Sequence, residues 1–283
     1  MTSPNSTPRS TYIEADGFEV HVTEWGDPGN PALVMWHGLA RTGRDFDEAA
    51  AALSDDYFVL CPDTLGRGLS SWARDYRVDY SYANFGRMAQ GILAHHGIEK
   101  LRWVGTSMGG LIGVTLAAGS LKGRITHLVI NDIGPDIPAA GAERIAAYVG
   151  TPPVYDTVTG LEAWLRSTYA HFGENTDAFW RRMADTSARR TDDGRITVHY
   201  DPHIVSQFTC HKADLDVWDA YEAVEAKTLL IRGEESDVLA AAVAQEMTRR
   251  GPRPALHVIP DCGHAPTLAN DDQIALLRAF LAQ

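Results

Sequence analysis

Apolar and polar positions along the chain follow two patterns, and each pattern predicts a different kind of element. Two stretches of alternating residues, "TYIEAD" and "FEVHVTEW", flank Gly17 and predict an antiparallel hairpin. The continuous apolar run "ALVMW" that follows is typical of a strand buried on both faces. We therefore expect a sheet that begins antiparallel and becomes parallel.

From residue 45 onward, helical and strand-like segments alternate. Helices are predicted near 45–53, over 82–96 and after 107, and the apolar runs "YFVLC", "LRWVG" and "ITHLVI" are predicted strands. The helix over 82–96 has one apolar face at helical spacing, formed by Tyr82, Phe85, Met88, Ala89, Ile92 and Leu93. This alternation predicts βαβ units in a doubly wound α/β sheet.

The alternation stops after Asn131. Residues 136–212 contain helical segments and several aromatic residues, but no run typical of a central strand. The strand-like runs "TLLIRG" and "ALHVIP" and a closing helix then complete the sheet. We therefore predict a helical cap over 136–212, inserted after the sixth strand, and a core formed by 1–135 and 213–283.

Composition narrows the classes of partner. The chain has 283 residues, 45% of them hydrophobic, and a formal net charge of -12, which disfavours nucleic acid and anionic membranes. The opening "MTSPNSTPRS" is polar and predicted to be frayed, and no run of about 18 apolar residues occurs. Three cysteines outside any CxxC pair indicate free thiols. We expect a cytoplasmic protein that binds neither membranes nor nucleic acid. The sequence does not distinguish a monomer from a dimer.

The candidate nucleophile lies in "WVGTSMGGLIG". Ser107 stands between an apolar strand and a helix that begins at Met108, with Gly105 and Gly109 two positions to either side. A G-x-S-x-G sequence in this context is typical of a nucleophile elbow, a strained turn that exposes the serine oxygen. Ser107 is therefore the predicted nucleophile.

A serine hydroxyl needs a base and a carboxylate that orients the base. His264, in "PDCGHAP" after the last predicted strand, is the expected base. Two carboxylates are candidates for the orienting role: Asp237 after "TLLIRG" and Asp132 after "ITHLVI". We prefer Asp237, because serine, acid and histidine then follow the usual chain order for an elbow of this kind, and we interpret Asp132 as structural.

Backbone amides are expected to stabilise the oxyanion. Met108 follows the nucleophile at a helix N-terminus, and Leu39 lies in the loop "HGLARTG" after "ALVMW". We predict these two amides as the oxyanion hole. His37, in the same loop, is interpreted as a residue that braces the loop.

The segments "HGLA", "DTLGRGLS", "GTSMGG", "SDVL" and "CGHAP", in this order, resemble the α/β-hydrolase fold superfamily, most closely its capped bacterial carboxylesterases, enol-lactonases and carbon–carbon bond hydrolases. The resemblance implies an eight-stranded, mostly parallel sheet with the cap over the serine. It also implies a structural role for the "DTLGRGLS" loop. Haloalkane dehalogenases and epoxide hydrolases use an aspartate at the elbow, so neither activity is expected here.

These features predict a cofactor-free serine hydrolase, a carboxylesterase that cleaves small-molecule carboxylic esters through an acyl-enzyme on Ser107. A lactonase or a carbon–carbon bond hydrolase with the same triad, and a ligand receptor that retains the triad, are the alternatives.

Other candidate residues carry less weight. No metal site is expected, because three cap histidines, His199, His203 and His211, lack a carboxylate or thiolate partner at ligand spacing. Arg41 and Arg44 could bind a substrate carboxylate, but we interpret them as a charged first turn that faces solvent. Four tryptophans are candidates for an acyl pocket or for the core: Trp36, Trp72, Trp164 and Trp180.

Overall fold

One eight-stranded sheet lies at the centre of the protein. The computed structural model describes residues 7–283, so the first six residues of the opening segment that we predicted to be frayed lie outside the described residues. The strands before the inserted region are β1 (Arg9–Ala15), β2 (Phe18–Trp25), β3 (Ala32–Trp36), β4 (Phe58–Pro62), β5 (Leu101–Thr106) and β6 (Ile125–Asn131). The inserted region contains three short strands, β7 (Val154–Tyr155), β8 (Ala188–Arg190) and β9 (Ile196–Val198), and the sheet ends with β10 (Lys227–Gly233) and β11 (Ala255–Ile259).

The strand order confirms the predicted sheet. It runs β1-β2-β4-β3-β5-β6-β10-β11, with β1 antiparallel to β2, β2 antiparallel to β4, and every other neighbouring pair parallel. Parallel strands bring their carboxyl ends to one edge of the sheet. The loops after β3, β5, β6, β10 and β11 therefore meet at that edge.

Helices cover both faces of the sheet, as a doubly wound fold requires. They are α1 (Asp47–Leu53), α2 (Tyr76–Asp79), α3 (Tyr82–His95), α4 (Met108–Ala118), α5 (Ala139–Val149), α6 (Val158–Thr168), α7 (Asp177–Ser187), α8 (Gln207–Cys210), α9 (Trp218–Glu222), α10 (Ala241–Met247) and α11 (Asp271–Leu281). The predicted apolar face of α3 is buried and packs in one core with α4, while α1 and α11 share a second core on the opposite face. Within the described residues, no helix has the length and apolar character needed to cross a bilayer.

The inserted region between β6 and β10 contains more than helices. Besides α5 to α9 it forms a small antiparallel sheet of order β7-β9-β8. Strands of two or three residues are too short to show an alternating pattern, so the sequence did not predict this sheet. The region is tied to the core by the Arg182–Glu48 ion pair and by a 2.6 Å hydrogen bond from Tyr80 Oη to Asp201. The limits 136–212 for the cap stay a prediction.

Candidate active site

Ser107 occupies a strained turn between β5 and α4. Its backbone has φ 53° and ψ -119°, a conformation that L-residues rarely adopt. A Cβ on Gly105 would lie 2.2 Å from Gly109 O, and a Cβ on Gly109 would lie 2.1 Å from Trp36 O. Both glycines are thus required because β5, β3 and α4 approach each other closely there. This is the geometry that the G-x-S-x-G sequence predicted.

His264 lies in the loop after β11, with its ring against the serine. The distance from His264 Nε2 to Ser107 Oγ is 2.9 Å, and the side chain of His264 is 9% exposed. Asn131 Nδ2 donates to Pro266 O at 2.8 Å, which holds this loop against the end of β6. The structure therefore places His264 beside Ser107, as the sequence predicted.

The carboxylate that contacts His264 is Asp132, so the preference for Asp237 is wrong. Asp132 Oδ2 lies 2.9 Å from His264 Nδ1, and the residue is fully buried at the end of β6. Its other oxygen accepts a hydrogen bond from Gly233 N at 2.9 Å. Since β6 lies directly beside β5, its carboxyl end brings Asp132 next to the serine loop.

Asp237 has a different partner. Both of its oxygens bind the Arg144 guanidinium of α5, at 2.6 and 2.8 Å, and its side chain is 44% exposed. The hydrogen bond to Arg144 lowers the pKa of Asp237. The acid expected from chain order thus forms an ion pair with the inserted region. Chain order alone does not show which strand end is nearer to the histidine.

The hydrogen-bond partners fix one tautomer of His264. A carboxylate only accepts hydrogen bonds, so Nδ1 carries the proton beside Asp132. Nε2 is then unprotonated and accepts the hydroxyl proton of Ser107. The three side chains form a continuous chain of hydrogen bonds in the order that general-base activation of a serine requires.

The geometry supports Met108 and Leu39 as oxyanion donors. Met108 is the first residue of α4, where a backbone N–H has no acceptor within the helix. The carbonyl of Gly38 accepts from His37 Nδ1 at 2.7 Å and from Arg41 N at 3.3 Å. Gly38 C=O and Leu39 N–H belong to one planar trans peptide group, so the Leu39 N–H points in the direction opposite to the Gly38 carbonyl. The assignment of both amides stays a prediction.

His37 and Arg67 brace this loop from beneath. His37 Nε2 accepts from Thr64 N at 2.9 Å, and burial lowers the pKa of His37 to about 4, so the ring is neutral at pH 7. Arg67 is fully buried and donates through Nε to Leu39 O at 2.8 Å. The bracing role predicted for His37 agrees with these bonds. Arg67 belongs to the "DTLGRGLS" loop, whose Asp63 accepts from Gly43 N at 2.8 Å and Leu69 N at 2.9 Å, and these bonds are consistent with the structural role that the resemblance implies.

Two pockets meet at Ser107. The wide pocket has a volume of about 660 Å³ out to its opening and contains His264. Its lining residues are His37, Gly38, Leu39, Ala40, Arg41, Asp45, Phe46, Thr106, Ser107, Ile145, Tyr148, Tyr169, Phe172, Phe179, His264, Ala265, Pro266 and Thr267. The narrow pocket, about 410 Å³, is lined by Leu39, Tyr82, Ser107, Met108, Leu111, Ile133, Ile137, Ala142, Ile145, Gln207, Phe208, Leu215 and Val238.

Comparison with known proteins identifies the family. The family model described as alpha/beta hydrolase fold matches residues 31–271. The chain belongs to the α/β-hydrolase family. A relative from Cupriavidus necator, 3-hydroxybutyrate-oligomer hydrolase, is 39% identical over 267 residues, covering 91% of this chain and 90% of that protein. The crystal structure of an α/β hydrolase from Novosphingobium aromaticivorans is 33% identical, with a TM-score of 0.87 over 97% of this chain and 98% of the other.

A more distant relative carries a different activity in its name. The 2-hydroxymuconate semialdehyde hydrolase of Pseudomonas putida is 25% identical over 100% of this chain and 98% of its own length. The α/β hydrolases similar to this chain thus include enzymes with different substrates.

The wide pocket of this α/β hydrolase contains a buried cation. The expectation that Arg41 faces solvent is wrong: the residue is 6% exposed and binds Asp45 through two hydrogen bonds of 2.6 and 2.8 Å. Its guanidinium carbon also lies 5.2 Å from the centre of the Tyr169 ring. Arg44 does lie at the partly exposed surface, paired with Asp47. Among the described residues that line the wide pocket, Arg41 is the single arginine or lysine.

The predicted tryptophans do not line either pocket. Trp36 is buried and stacks on Trp103 with ring centres 5.2 Å apart, whereas Trp72 is 43% exposed. The aromatic lining of the wide pocket comes instead from Phe46 and from four residues of the inserted region: Tyr148, Tyr169, Phe172 and Phe179. No sequence motif marked these residues, because their place over the serine depends on how the inserted helices pack.

The three histidines considered as metal ligands do not form a cluster. His203 Nδ1 binds Asp201 at 2.8 Å and its ring stacks on Tyr76, while His199 lines a separate surface cleft. Within residues 7–283, no group of three or more His, Cys, Asp or Glu side chains is arranged to hold a metal ion.

Proposed function

We propose that this α/β hydrolase cleaves carboxylic esters through an acyl-enzyme on Ser107. The observation that carries the proposal is the chain of 2.9 Å hydrogen bonds from Ser107 through His264 to the buried Asp132, at the meeting point of two pockets. A serine aligned with a neutral imidazole and a buried carboxylate is the arrangement that activates a hydroxyl for acyl transfer.

The first half of the reaction transfers the acyl group to the enzyme. His264 Nε2 takes the Ser107 proton while Oγ attacks the ester carbonyl carbon, and Asp132 stabilises the imidazolium that forms. The amides of Leu39 and Met108 donate to the negative oxygen of the tetrahedral intermediate. The imidazolium then gives its proton to the leaving alcohol, and the ester bond breaks.

The second half releases the acid. His264 removes a proton from a water molecule, the hydroxide attacks the acyl-enzyme, and the same two amides stabilise the second oxyanion. Ser107 leaves as its protonated hydroxyl, and the carboxylic acid departs. The proton that returns to Ser107 comes from the His264 imidazolium, and the water molecule is the one reactant besides the ester.

Two observations favour an ester whose alcohol part carries a carboxylate. The Cupriavidus necator relative is named for hydrolysis of 3-hydroxybutyrate oligomers, whose units are joined by ester bonds and end in one free carboxylate. Arg41 places a guanidinium in the wide pocket, which also contains His264. Asp45 lines the same pocket and binds Nε and Nη2 of Arg41, so a substrate carboxylate would bind the N–H groups of Nη1. We therefore propose short oligomers of hydroxy acids as the substrate class.

The direct test compares the parent with Ser107→Ala on the linear dimer of 3-hydroxybutyrate and on 4-nitrophenyl butyrate. We expect the parent to cleave both, and kcat to fall by at least about 10³-fold in the variant with unchanged thermal stability. An activity of Ser107→Ala within tenfold of the parent would contradict the proposal. A parent that cleaves a lactone or a carbon–carbon bond of a diketone much faster than either ester would favour those alternatives.

A further inference from the structure

The narrow pocket contains a buried amide without a partner. Gln207 is 3% exposed, and its Nε2 has no hydrogen-bond acceptor among the described residues. A buried donor left unpaired costs about 1–3 kcal/mol, and a ligand that pairs with it recovers part of that cost. Eleven buried side-chain atoms of the described residues have no partner, and Gln207 is the one residue among them that lines a pocket reaching Ser107. The Nε2 atom is itself covered, and rotation of the terminal amide would present this donor to a bound substrate.

The rest of the narrow pocket is apolar. Apart from Ser107 and Gln207, Tyr82 is the one described lining residue with a polar side chain, and no Asp, Glu, Lys or Arg lines the pocket. An anionic group would be costly there, because no positive charge compensates for the loss of its hydration. A neutral group with a short apolar chain matches this lining.

The position of His264 indicates which part of an ester enters each pocket. His264 must protonate the leaving alcohol, so the alcohol part lies on the side of the imidazole. His264 lines the wide pocket and is absent from the residues that line the narrow pocket. The acyl part therefore extends into the narrow pocket, toward Gln207.

We propose that Gln207 binds a hydroxyl group on the acyl chain, so that the narrow pocket selects short hydroxyacyl groups; this rests on the proposed ester hydrolysis. A hydroxyl donates one hydrogen bond and can accept two, and the amide of Gln207 offers a donor at Nε2 and an acceptor at Oε1. A plain acyl chain leaves the donor unpaired. Gln207 thus acts as a specificity residue at the acyl end, opposite the carboxylate end at Arg41.

The test uses two substrates that differ by one hydroxyl, 4-nitrophenyl 3-hydroxybutyrate and 4-nitrophenyl butyrate. We expect the parent to prefer the hydroxyl ester by about tenfold or more in kcat/KM, because the plain ester leaves the amide unpaired. Gln207→Met keeps the length of the side chain and removes the amide. We expect the preference to fall to about 1 in this variant, mostly through loss of kcat/KM on the hydroxyl ester.

Two controls separate hydrogen bonding from pocket shape. Phe208→Leu alters the apolar lining and should change both esters by a similar factor. Tyr82→Phe removes the other hydroxyl of the pocket and should keep the preference. Thermal unfolding of each variant shows whether it is folded. The preference of the parent between the two esters tests the inference without any variant.

Three outcomes would overturn the inference. The first is a parent that shows no preference between the two esters. The second is a preference for the hydroxyl ester that persists in Gln207→Met, and the third is loss of that preference in Tyr82→Phe. These outcomes are distinct from failure of the proposed function, in which the parent cleaves neither ester or Ser107→Ala retains the activity.

Discussion

Replacement of Asp132 tests the assignment in which the sequence prediction and the structure disagree. In Asp132→Asn, the amide can still accept from Gly233 N through its oxygen, but it presents an NH₂ group to His264 Nδ1. That donor favours the tautomer with the proton on Nε2, which can no longer accept the serine proton. We expect kcat to fall by a factor on the order of 10³ to 10⁴, roughly 4 to 5 kcal/mol of transition-state stabilisation.

Asp237→Asn is the matched control. It weakens the ion pair with Arg144, in which the side chains are 34% and 44% exposed, and such pairs contribute about 0.2–1 kcal/mol. We expect kcat within about fivefold of the parent. Steady-state hydrolysis of 4-nitrophenyl butyrate, with active-site titration and thermal unfolding on each variant, measures both effects. The reverse ranking, or equal losses in the two variants, would refute the assignment of Asp132.

Three further predictions concern the surrounding residues. Arg41→Met should lower kcat/KM for the 3-hydroxybutyrate dimer by about tenfold or more and leave 4-nitrophenyl butyrate within threefold, and equal losses on both would argue against a carboxylate contact. The pKa of His37 is lowered to about 4 in the folded protein, whereas an unfolded histidine titrates near about 6.5, so the unfolded chain binds this proton first as the pH falls. The free energy of unfolding should therefore fall by about 3 kcal/mol between about pH 6.5 and pH 4. Urea titrations should show a smaller loss of stability in His37→Gln over the same pH range. Gly109→Ala forces a Cβ against Trp36 O and should reduce both stability and kcat, whereas retention of both would show that the elbow tolerates a side chain.

The sequence predicted the fold and two of the three aligned side chains for identifiable reasons. The strands "ALVMW" and "LRWVG" are apolar throughout because helices cover both of their faces, and the glycines at 105 and 109 are required by close backbone contacts. Such features depend on local sequence, so they can be predicted from it. His264 was predictable because it follows the last strand of the sheet.

The remaining features depend on contacts between distant parts of the chain. Asp132 and Asp237 both follow central strands, and two long-range features distinguish them: β6 lies directly beside β5, and the packing of α5 places Arg144 beside Asp237. Gln207 and Tyr169 lie in the inserted region, where no periodic pattern indicates which side chains face the serine. The small sheet of the inserted region was missed for a different reason, since its strands are too short to show a pattern.

The measurement that tests the central claim most directly is covalent labelling of the serine. We would treat the parent and Ser107→Ala with an alkyl fluorophosphonate and determine the intact mass and the modified peptide. The account predicts one adduct per chain in the parent, on the peptide that contains Ser107, and none in the variant. A parent that stays unmodified while it hydrolyses esters, or an adduct that persists in Ser107→Ala, would contradict the claim that this serine is the nucleophile.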